Sequence, residues 1–436
     1  MRTPRLFDLL SFFSTALDIV TPALAGHHAR VAWLSLRMAE KLGYDRRTRT
    51  RLLTAAILHD IGTVPMKTET RDLVFEINEG PHCRAGWAFC KTAGLPRTIC
   101  NMVLHHHTPW NAARHDDDAR LGNLIHLADR LDILLRAQKT EGFAAEVERL
   151  CRQREKFAPR YLEALHALAG DREITEQSGR TQSMLRHLGE IAPQEGLSPQ
   201  KLLKVCGLFS QIIDSKSPFT ATHSSGVAHT ARALFRRSGL ADATELSAIF
   251  VAGLLHDIGK LAVPSDILEK PAALSPDEFD IIKRHAEVGL QLLGGVPGFA
   301  CIRNWGGLHH ERPDGSGYPL GLSGRSFPLP ARIMAVADVF TALTEDRPYR
   351  EGMPVGEALE IMRDMARRDA LDRDMVSLLA DDVERINQAR LRGQGKAAEN
   401  FQQLRVLCRK PGKAEPIWAA SVHVCDESKT CDRNVI

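Results

Sequence analysis

Five histidines and two aspartates in the C-terminal half of the chain have the side chains of a metal centre. Helical spacing places them on or beside the apolar faces of successive segments, where burial is expected. One such residue alone is more typical of a core histidine, but burying all seven without partners would cost several kcal/mol. A shared metal centre removes that cost. The seven candidate ligands are His223, His256, Asp257, His285, His309, His310 and Asp338.

The composition of this set predicts the metal and its chemistry. Imidazole and carboxylate together suit iron, manganese, zinc or nickel better than calcium or magnesium. Six or seven ligands exceed the four of a structural zinc site and fit two ions about 3.5–4 Å apart. Such a pair lowers the pKa of bound water from ~15.7 towards ~7 and holds both oxygens of a phosphoryl displacement. We expect two divalent transition-metal ions, with iron or manganese favoured over zinc or nickel, and phosphoester hydrolysis.

The N-terminal half repeats these landmarks in the same order. LLTAAILHDIGTVP at 52–65 matches IFVAGLLHDIGKLAVP at 249–264, and residues 6–32 match residues 202–228. HCRAGWAFC, LHHH and LADRLDILL then follow in the order of their C-terminal counterparts. Five matched blocks in order indicate an internal duplication. The second candidate metal site consists of His27, His59, Asp60, His82, His105, His106 and Asp129.

Both copies have helical rather than strand periodicity. Residues from Leu246 to Asp257 recur on one helix face, and Ser275 followed by Pro276 and Glu278 is typical of a helix N-terminus. The sequence therefore predicts an all-α fold of two related helical domains in tandem. The expected boundaries are 1–139 for the first copy, 140–199 for a helical connector, 200–389 for the second copy and 390–436 for an unassigned C-terminal extension.

The second copy resembles the HD-GYP subgroup of the HD phosphohydrolase superfamily. The resemblance depends on HSSGVA from His223, HDIGK at 256–260, LHHERPDGSGYP at 308–319 and RPYR at 347–350. The subgroup hydrolyses cyclic di-GMP, and some members hydrolyse 3′,3′-cyclic GMP-AMP. The resemblance implies that this chain opens such a ring to the linear dinucleotide through a metal-bridging hydroxide. The first copy resembles a divergent HD domain that lacks the GYP segment.

The resemblance also assigns roles to individual residues. All seven candidates of the second copy become metal ligands, Asp257 bridges the two ions, and Lys260 faces the scissile phosphate and neutralises its charge. Considered alone, Lys260 is also compatible with a solvated lysine at a helix end, but within HDIGK we favour the functional role.

Four further residues of the second copy match substrate-binding positions of the subgroup. Gly317 and Tyr318 form a lip on which a purine could stack, although DGSGYP is first of all a turn sequence. Arg347 and Arg350 match residues that hold the phosphate or the guanine edge, and surface ion pairs are the alternative for both.

The second copy departs from the subgroup at three positions. Ala286 stands where proline is common after the histidine, Phe219 replaces the glutamate of members with three metals, and Ser217 replaces a common acidic residue. These departures favour two ions over three.

The first copy keeps the ligand positions but not the substrate apparatus. Thr63 replaces Lys260, TPWNAARHDDD at 108–118 replaces the GYP segment, and no RPYR follows Asp129. Three interpretations stay open. The first copy is a metal-containing domain without substrate that stabilises or regulates the second, a second phosphohydrolase acting on the linear product, or a domain without metal.

The overall composition limits the partners. The net charge of the 436 residues is only +3, which does not indicate binding to duplex nucleic acid. The longest apolar stretch, 6–20, is interrupted by Asp8 and Asp18 and is too short to span a membrane. Nine scattered cysteines without a C-x-x-C pair suit a reducing compartment. We therefore expect a cytoplasmic protein that binds a cyclic dinucleotide, with signalling proteins as further candidate partners and its oligomeric state undetermined.

Two other functions compete with cyclic-dinucleotide hydrolysis. One is an HD-type nucleotidase or phosphohydrolase acting on another nucleotide, which would not need the GYP and RPYR segments. The other is a non-catalytic receptor or scaffold for a cyclic dinucleotide, which would not need intact metal ligands or Lys260.

Overall fold

The structure is a computed structural model. It describes residues 3–20, 25–66, 80–137, 143–170, 181–216, 222–270, 272–324, 326–346 and 351–408. Within these ranges the chain forms helices joined by turns, and its only β-type pairings are two isolated bridges, Arg5 with Gly196 and Asp314 with Ser323. The predicted all-α fold with two helical domains in tandem is confirmed.

The chain divides into two compact units, Arg2–Ser198 and Pro199–Arg405. The helices of the first unit are α1 (Leu6–Val20), α2 (His27–Lys41), α3 (Arg46–Leu58), α4 (Thr63–Met66), α5 (Gly80–Thr92), α6 (Arg97–Leu104), α7 (Trp110–Ala113), α8 (Asp117–Ala137), α9 (Phe143–Cys151), α10 (Pro159–Ala169) and α11 (Thr181–Ile191).

The helices of the second unit are α12 (Pro199–Ser215), α13 (His223–Arg237), α14 (Ala243–Leu255), α15 (Ser265–Leu268), α16 (Pro276–Gly294), α17 (Ala300–Gly307), α18 (Leu329–Thr344), α19 (Val355–Arg367), α20 (Arg373–Asp381) and α21 (Val383–Cys408). A 3₁₀ helix, Ile258–Ala262, lies between α14 and α15.

The duplication is visible in the lengths of corresponding helices. Helices α2 and α13 both have 15 residues and begin at a candidate histidine ligand. Helices α3 and α14 both have 13 residues, and the side chain of an aspartate, Asp45 or Asp242, caps each N-terminus. Each of these two helices ends one residue before its His-Asp pair. Capping therefore fixes where each helix starts. Because the two helices have the same length, the His-Asp pair lies at the same position relative to the helix start in both units.

The start of α16 is as predicted. Ser275 accepts a hydrogen bond from the backbone N–H of Glu278, the Glu278 carboxylate accepts one from the backbone N–H of Ser275, and Pro276 occupies the first turn. This capping box satisfies two backbone donors that the helix leaves without a partner. It fixes the register of α16, which carries His285 to the interior of the unit.

The two units differ from the expected boundaries in two places. Helices α9 to α11, in the expected connector, pack on α8 and α2 and belong to the first unit. Helix α21 continues through residue 390, where an extension was expected, and buries Phe401 and Leu404. For α9 to α11, the apolar side chains of amphipathic helices are buried in the first unit, which sequence periodicity alone does not assign.

No helix among the described residues is both long enough and apolar enough to cross a membrane. The cytoplasmic location stays a prediction.

Candidate metal centres and active site

Glycine permits the close approach of the two segments that carry the central ligands of the second unit. His256 and Asp257 follow the last residue of α14, and His285 lies on α16. A Cβ atom on Gly259 would overlap the backbone oxygen of His285, so only glycine fits at this crossing. The first unit has the same crossing, with Gly62 against the backbone oxygen of His82. The glycine of each HDIG segment therefore sets the distance between two ligand-bearing elements.

The seven candidate ligands of the second unit converge. His223 Nε2 lies 3.1 Å from Asp338 Oδ1, His256 Nε2 lies 3.3 Å from Asp257 Oδ2, and His285 Nε2 lies 3.5 Å from Asp257 Oδ1. Ligand atoms lie within 4.8 Å of one another in each of three overlapping groups. The groups are His223 with His256 and Asp338, His256 with Asp257 and His309, and His285 with His309 and His310.

Backbone hydrogen bonds fix the orientation of three of the imidazoles. Nδ1 of His256, His285 and His309 donates to a backbone oxygen three residues earlier, at 2.8, 2.6 and 2.5 Å. In a neutral imidazole the other nitrogen, Nε2, then carries a lone pair. All three Nε2 atoms are buried and have no hydrogen-bond partner.

Asp257 Oδ1 is likewise buried without a hydrogen-bond donor. Lone pairs of nitrogen and oxygen therefore face each other in a dry site, which is unfavourable unless a cation lies among them. The donor set fits divalent transition-metal ions.

Burial and local charge keep Asp257, His285 and His309 in the form that binds metal. Burial opposes ionisation of Asp257, but neighbouring His256 and Lys260 outweigh it and hold the pKa of this carboxyl well below its usual range. Burial lowers the pKa of His285 to about 4 and that of His309 to about 3. At neutral pH the aspartate is thus ionised and both imidazoles are neutral, as metal ligation requires.

Glu345 orients His223 and was not found from the sequence. Its buried carboxylate accepts a hydrogen bond from His223 Nδ1 at 3.0 Å and another from Gln394 at 3.2 Å. A carboxylate behind a ligating histidine is typical of metal sites, where it fixes the ring and raises its basicity. Helical spacing gave no signal for it, because Glu345 lies one residue beyond the end of α18 and has extended backbone angles.

Lys260 lies at the edge of this cluster. Its ammonium donates to Asp257 Oδ2 at 2.6 Å, and its side chain is 23% exposed. Lys216, which the sequence analysis also missed, donates from Nζ to the backbone oxygens of Lys260 and Val263, at 3.1 and 2.6 Å. The 3₁₀ helix that carries Lys260 is thereby tied to the end of α12.

The GYP segment lies against the ligand cluster. Glu311 is buried and accepts hydrogen bonds from the backbone N–H groups of Leu320 and Leu322 at 2.6 and 2.7 Å. A Cβ atom on Gly317 would meet the backbone at Glu311, so the turn requires glycine. The ring of Tyr318 packs on that of His310, with centroids 4.6 Å apart.

Arg347 and Arg350, predicted to bind substrate, lie outside the described residues.

The first unit assembles a similar cluster around Asp60. His59 Nε2 lies 3.3 Å from Asp60 Oδ2, while His82 Nε2 and His106 Nε2 lie 3.4 and 3.3 Å from Asp60 Oδ1. His27 Nε2 lies 3.3 Å from Asp129 Oδ1. Six of the seven predicted ligands therefore come together.

The structure corrects the seventh ligand of the first unit by one residue. Helix α6 ends at Leu104 and α17 at Gly307, so His105 corresponds to Leu308 and not to a ligand histidine. His105 is half-buried, and its Nδ1 pairs with Thr108 Oγ1 at 3.1 Å. His107 instead joins His106 in the cluster.

Two neighbours of this cluster distinguish it from the one in the second unit. Asp132 accepts a hydrogen bond from His27 Nδ1 at 2.8 Å, as Glu345 does from His223 Nδ1 in the second unit. Asp132 lies one helical turn after Asp129. Thr63, at the position of Lys260, donates its hydroxyl to the backbone oxygen of Asp60 at 2.7 Å. The first unit therefore keeps a histidine, His27, that is oriented by a carboxylate, and it has a hydroxyl in place of the Lys260 ammonium.

Comparison with known proteins agrees with this duplication. Two family models, both described as HD domain, match residues 24–134 and 207–375. The 3′3′-cGAMP-specific phosphodiesterase 1 of Vibrio cholerae is 30% identical over 84% of this chain and 88% of its own length. The cyclic di-GMP phosphodiesterase response regulator RpfG of Xanthomonas campestris pv. campestris is 37% identical over 41% of this chain and 46% of its own length.

A solved structure shares the fold across both units. The crystal structure of a cyclic GMP-AMP specific phosphodiesterase of V. cholerae, V-cGAP3, superposes with a TM-score of 0.63 at 22% identity, covering 88% of this chain and 98% of that one. With the 30% identity to phosphodiesterase 1 over most of both chains, the relationship extends to the whole protein. The chain therefore belongs to the HD-GYP family of the HD phosphohydrolase superfamily, with a divergent HD domain before the HD-GYP domain.

Proposed function

We propose that the chain is a phosphodiesterase that hydrolyses a cyclic dinucleotide, cyclic di-GMP or 3′,3′-cyclic GMP-AMP, to the linear dinucleotide. The observation that carries the proposal is the convergence of three buried, partnerless Nε2 atoms beside Asp257 under the Tyr318 segment. The relatives named for activity on these two substrates support it.

The geometry supports two metal ions held by two ligand sets that share Asp257. Asp257 directs Oδ2 towards His256 and Oδ1 towards His285, so its two oxygens face different groups of donors. His223, His256 and Asp338 supply one set, and His285, His309 and His310 supply the other. When bound, two such ions would activate water and neutralise charge on the phosphate. Iron or manganese remains our prediction for their identity.

Lys260 adds positive charge where the phosphodiester reacts. Its ammonium is already within 2.6 Å of Asp257 Oδ2, so a phosphate beside that carboxylate also lies within its reach. An ammonium held at a partly dry site stabilises the charge that develops on phosphate oxygens. The hydrogen bond from Lys216 Nζ to the backbone oxygen of Lys260 fixes the backbone from which this side chain extends.

The GYP segment provides the binding surface for a purine. Tyr318 is held by its ring contact with His310 and by the hydrogen bond from its N–H to the His310 oxygen at 3.2 Å. An aromatic ring fixed in this way offers a face on which a base stacks. Arg347 and Arg350 are proposed to hold the phosphate or the guanine edge, as their match to the family implies.

The test is turnover of purified, metal-analysed protein against a panel of cyclic dinucleotides, with product analysis. The wild type should yield a linear dinucleotide, and the double variant His256→Ala with Asp257→Asn should lose turnover and about one or two metal ions per chain. His115 and Asp116 form an exposed His-Asp pair, so His115→Ala with Asp116→Asn is a matched control that should retain both.

Each contrary result has a definite meaning. Normal turnover by the His256–Asp257 variant would end the metal mechanism. Tight binding without turnover by the metal-loaded wild type would support the receptor function instead. Hydrolysis restricted to linear or mononucleotide substrates would support the nucleotidase.

A further inference from the structure

The candidate ligand cluster of the first unit contains a thiol where that of the second unit has a methyl group. Cys83 follows His82 on α5, and Ala286 follows His285 on α16. Both residues are buried. Cys83 Sγ lies 3.6 Å from His82 Nε2 and 3.9 Å from His106 Nε2. A soft donor therefore lies among the imidazoles of the first unit, at a position where the second unit has no donor atom.

The spacing of these donors fits a single ion. His82, Cys83, His106 and His107 each offer a ligand atom, and all four atoms lie within 4.8 Å of one another. Tetrahedral zinc, with bonds of about 2.0–2.3 Å, separates its donors by about 3.3–3.8 Å. The nitrogen atoms of His82 and His106 are 3.3 Å apart, and the two sulfur–nitrogen distances are 3.6 and 3.9 Å. Three of the donors are thus already close to the separations that coordination requires, and His107 lies within 4.8 Å of them.

The electrostatics also call for a cation here. His106 Nδ1 donates to the oxygen of Val103 at 2.6 Å, so in the neutral ring Nε2 carries a lone pair. That lone pair lies 3.3 Å from Asp60 Oδ1, which is buried and has no hydrogen-bond donor. A divalent ion relieves this repulsion, and it would bind Cys83 as the thiolate.

We propose that the first unit holds a thiolate-ligated metal centre that takes a zinc-class divalent ion through His82, Cys83, His106 and His107. Three imidazoles and a thiolate complete a tetrahedral shell, as in structural sites, whereas catalytic sites keep a position open for water. The thiolate also reduces the net charge that the ion presents. The centre joins α5 to the end of α6 and does not activate water.

This proposal does not depend on the activity of the second unit, and its test reads the metal directly. The full chain is produced in cobalt-supplemented medium, because cobalt(II) bound to thiolate gives a near-ultraviolet charge-transfer band that nitrogen and oxygen ligands do not give. The wild type should show the band. Cys83→Ala should lose it, while circular dichroism stays that of the wild type, since Ala286 shows that alanine fits the corresponding position.

The chain offers a matched control on the same helix. Cys90 is buried on α5, two turns after Cys83, and belongs to no candidate metal group of the described residues. Cys90→Ala should keep the band at full intensity. Absence of the band from the cobalt-loaded wild type, or its persistence in Cys83→Ala, would overturn the proposal. Loss in Cys83→Ala but not in Cys90→Ala would establish the ligand.

Discussion

The two units hold nearly the same ring of histidines and aspartates and differ in what surrounds it. In the second unit a lysine and a tyrosine lie at the edge of the cluster. In the first unit Thr63 has turned its hydroxyl to the backbone, and Cys83 adds a donor inside the cluster. The comparison teaches that metal ligands alone do not define this active site. The second unit adds an ammonium beside the ligands and an aromatic ring against them, and the proposed function uses both.

The largest expected effect comes from replacing Lys260 of the second unit by threonine, the residue at the corresponding position of the first unit. Lys260→Thr removes the ammonium and leaves every metal ligand in place. Loss of one charge-stabilising group in such a site costs about 10²–10³ in turnover. We therefore expect kcat to fall by about that factor, with metal content unchanged, as measured by steady-state kinetics and metal analysis.

A matched lysine controls for the loss of a local ion pair. Lys283 pairs with Asp280 at 2.8 Å, three residues apart like Lys260 and Asp257, but on the surface. Lys283→Thr should leave turnover intact. The reciprocal change, Thr63→Lys, should create no activity in a chain with a disabled second unit, because the first unit still lacks a lip. Equal kcat in Lys260→Thr and wild type would remove the lysine from the mechanism.

The helical fold and most of the candidate ligands could be predicted from the sequence, because both depend on local periodicity. The capping box at Ser275 and the spacing of the HDIG segments are encoded within a few residues. The run of three histidines at 105–107 was ambiguous, since only the end of α6 decides which two face the cluster. The contacts of Glu345 and Asp132 with their histidines depend on side-chain rotamers and on the packing of helices distant in sequence. Sequence spacing reports neither.

An intermediate effect is expected at the carboxylate behind His223. Glu345→Gln keeps the shape of the side chain but removes the charge that holds the His223 ring. Loss of such an outer carboxylate lowers metal affinity or activity about 10–100-fold. We expect a loss of this size in a chelator titration, and recovery of kcat when excess metal is added.

An exposed glutamate of the same domain supplies the comparison for this variant. Glu351 is exposed, so Glu351→Gln changes the same net charge without touching a ligand. It should bind metal as the wild type does. A defect in Glu345→Gln that excess metal does not restore would mean that Glu345 supports the fold of α18 rather than the orientation of His223.

The smallest effect is expected at the lip that the first unit lacks. Stacking of a base on an aromatic ring contributes about 1–3 kcal/mol, which is roughly fivefold to 150-fold in binding. Tyr318→Ala should therefore raise KM by about fivefold or more, with a much smaller change in kcat, because the ring binds the base and not the reacting phosphate. Tyr318→Phe keeps the ring and should keep KM.

The ratio of the two kinetic constants separates this role from a structural one. Tyr318 contacts the ring of His310, so a purely structural role would disturb that ligand and lower kcat and metal content together. A rise in KM alone, absent from Tyr318→Phe, requires that the ring meets the substrate. An equal rise in both variants would point to the hydroxyl, and the difference between the two units would then be one of hydrogen bonding rather than stacking.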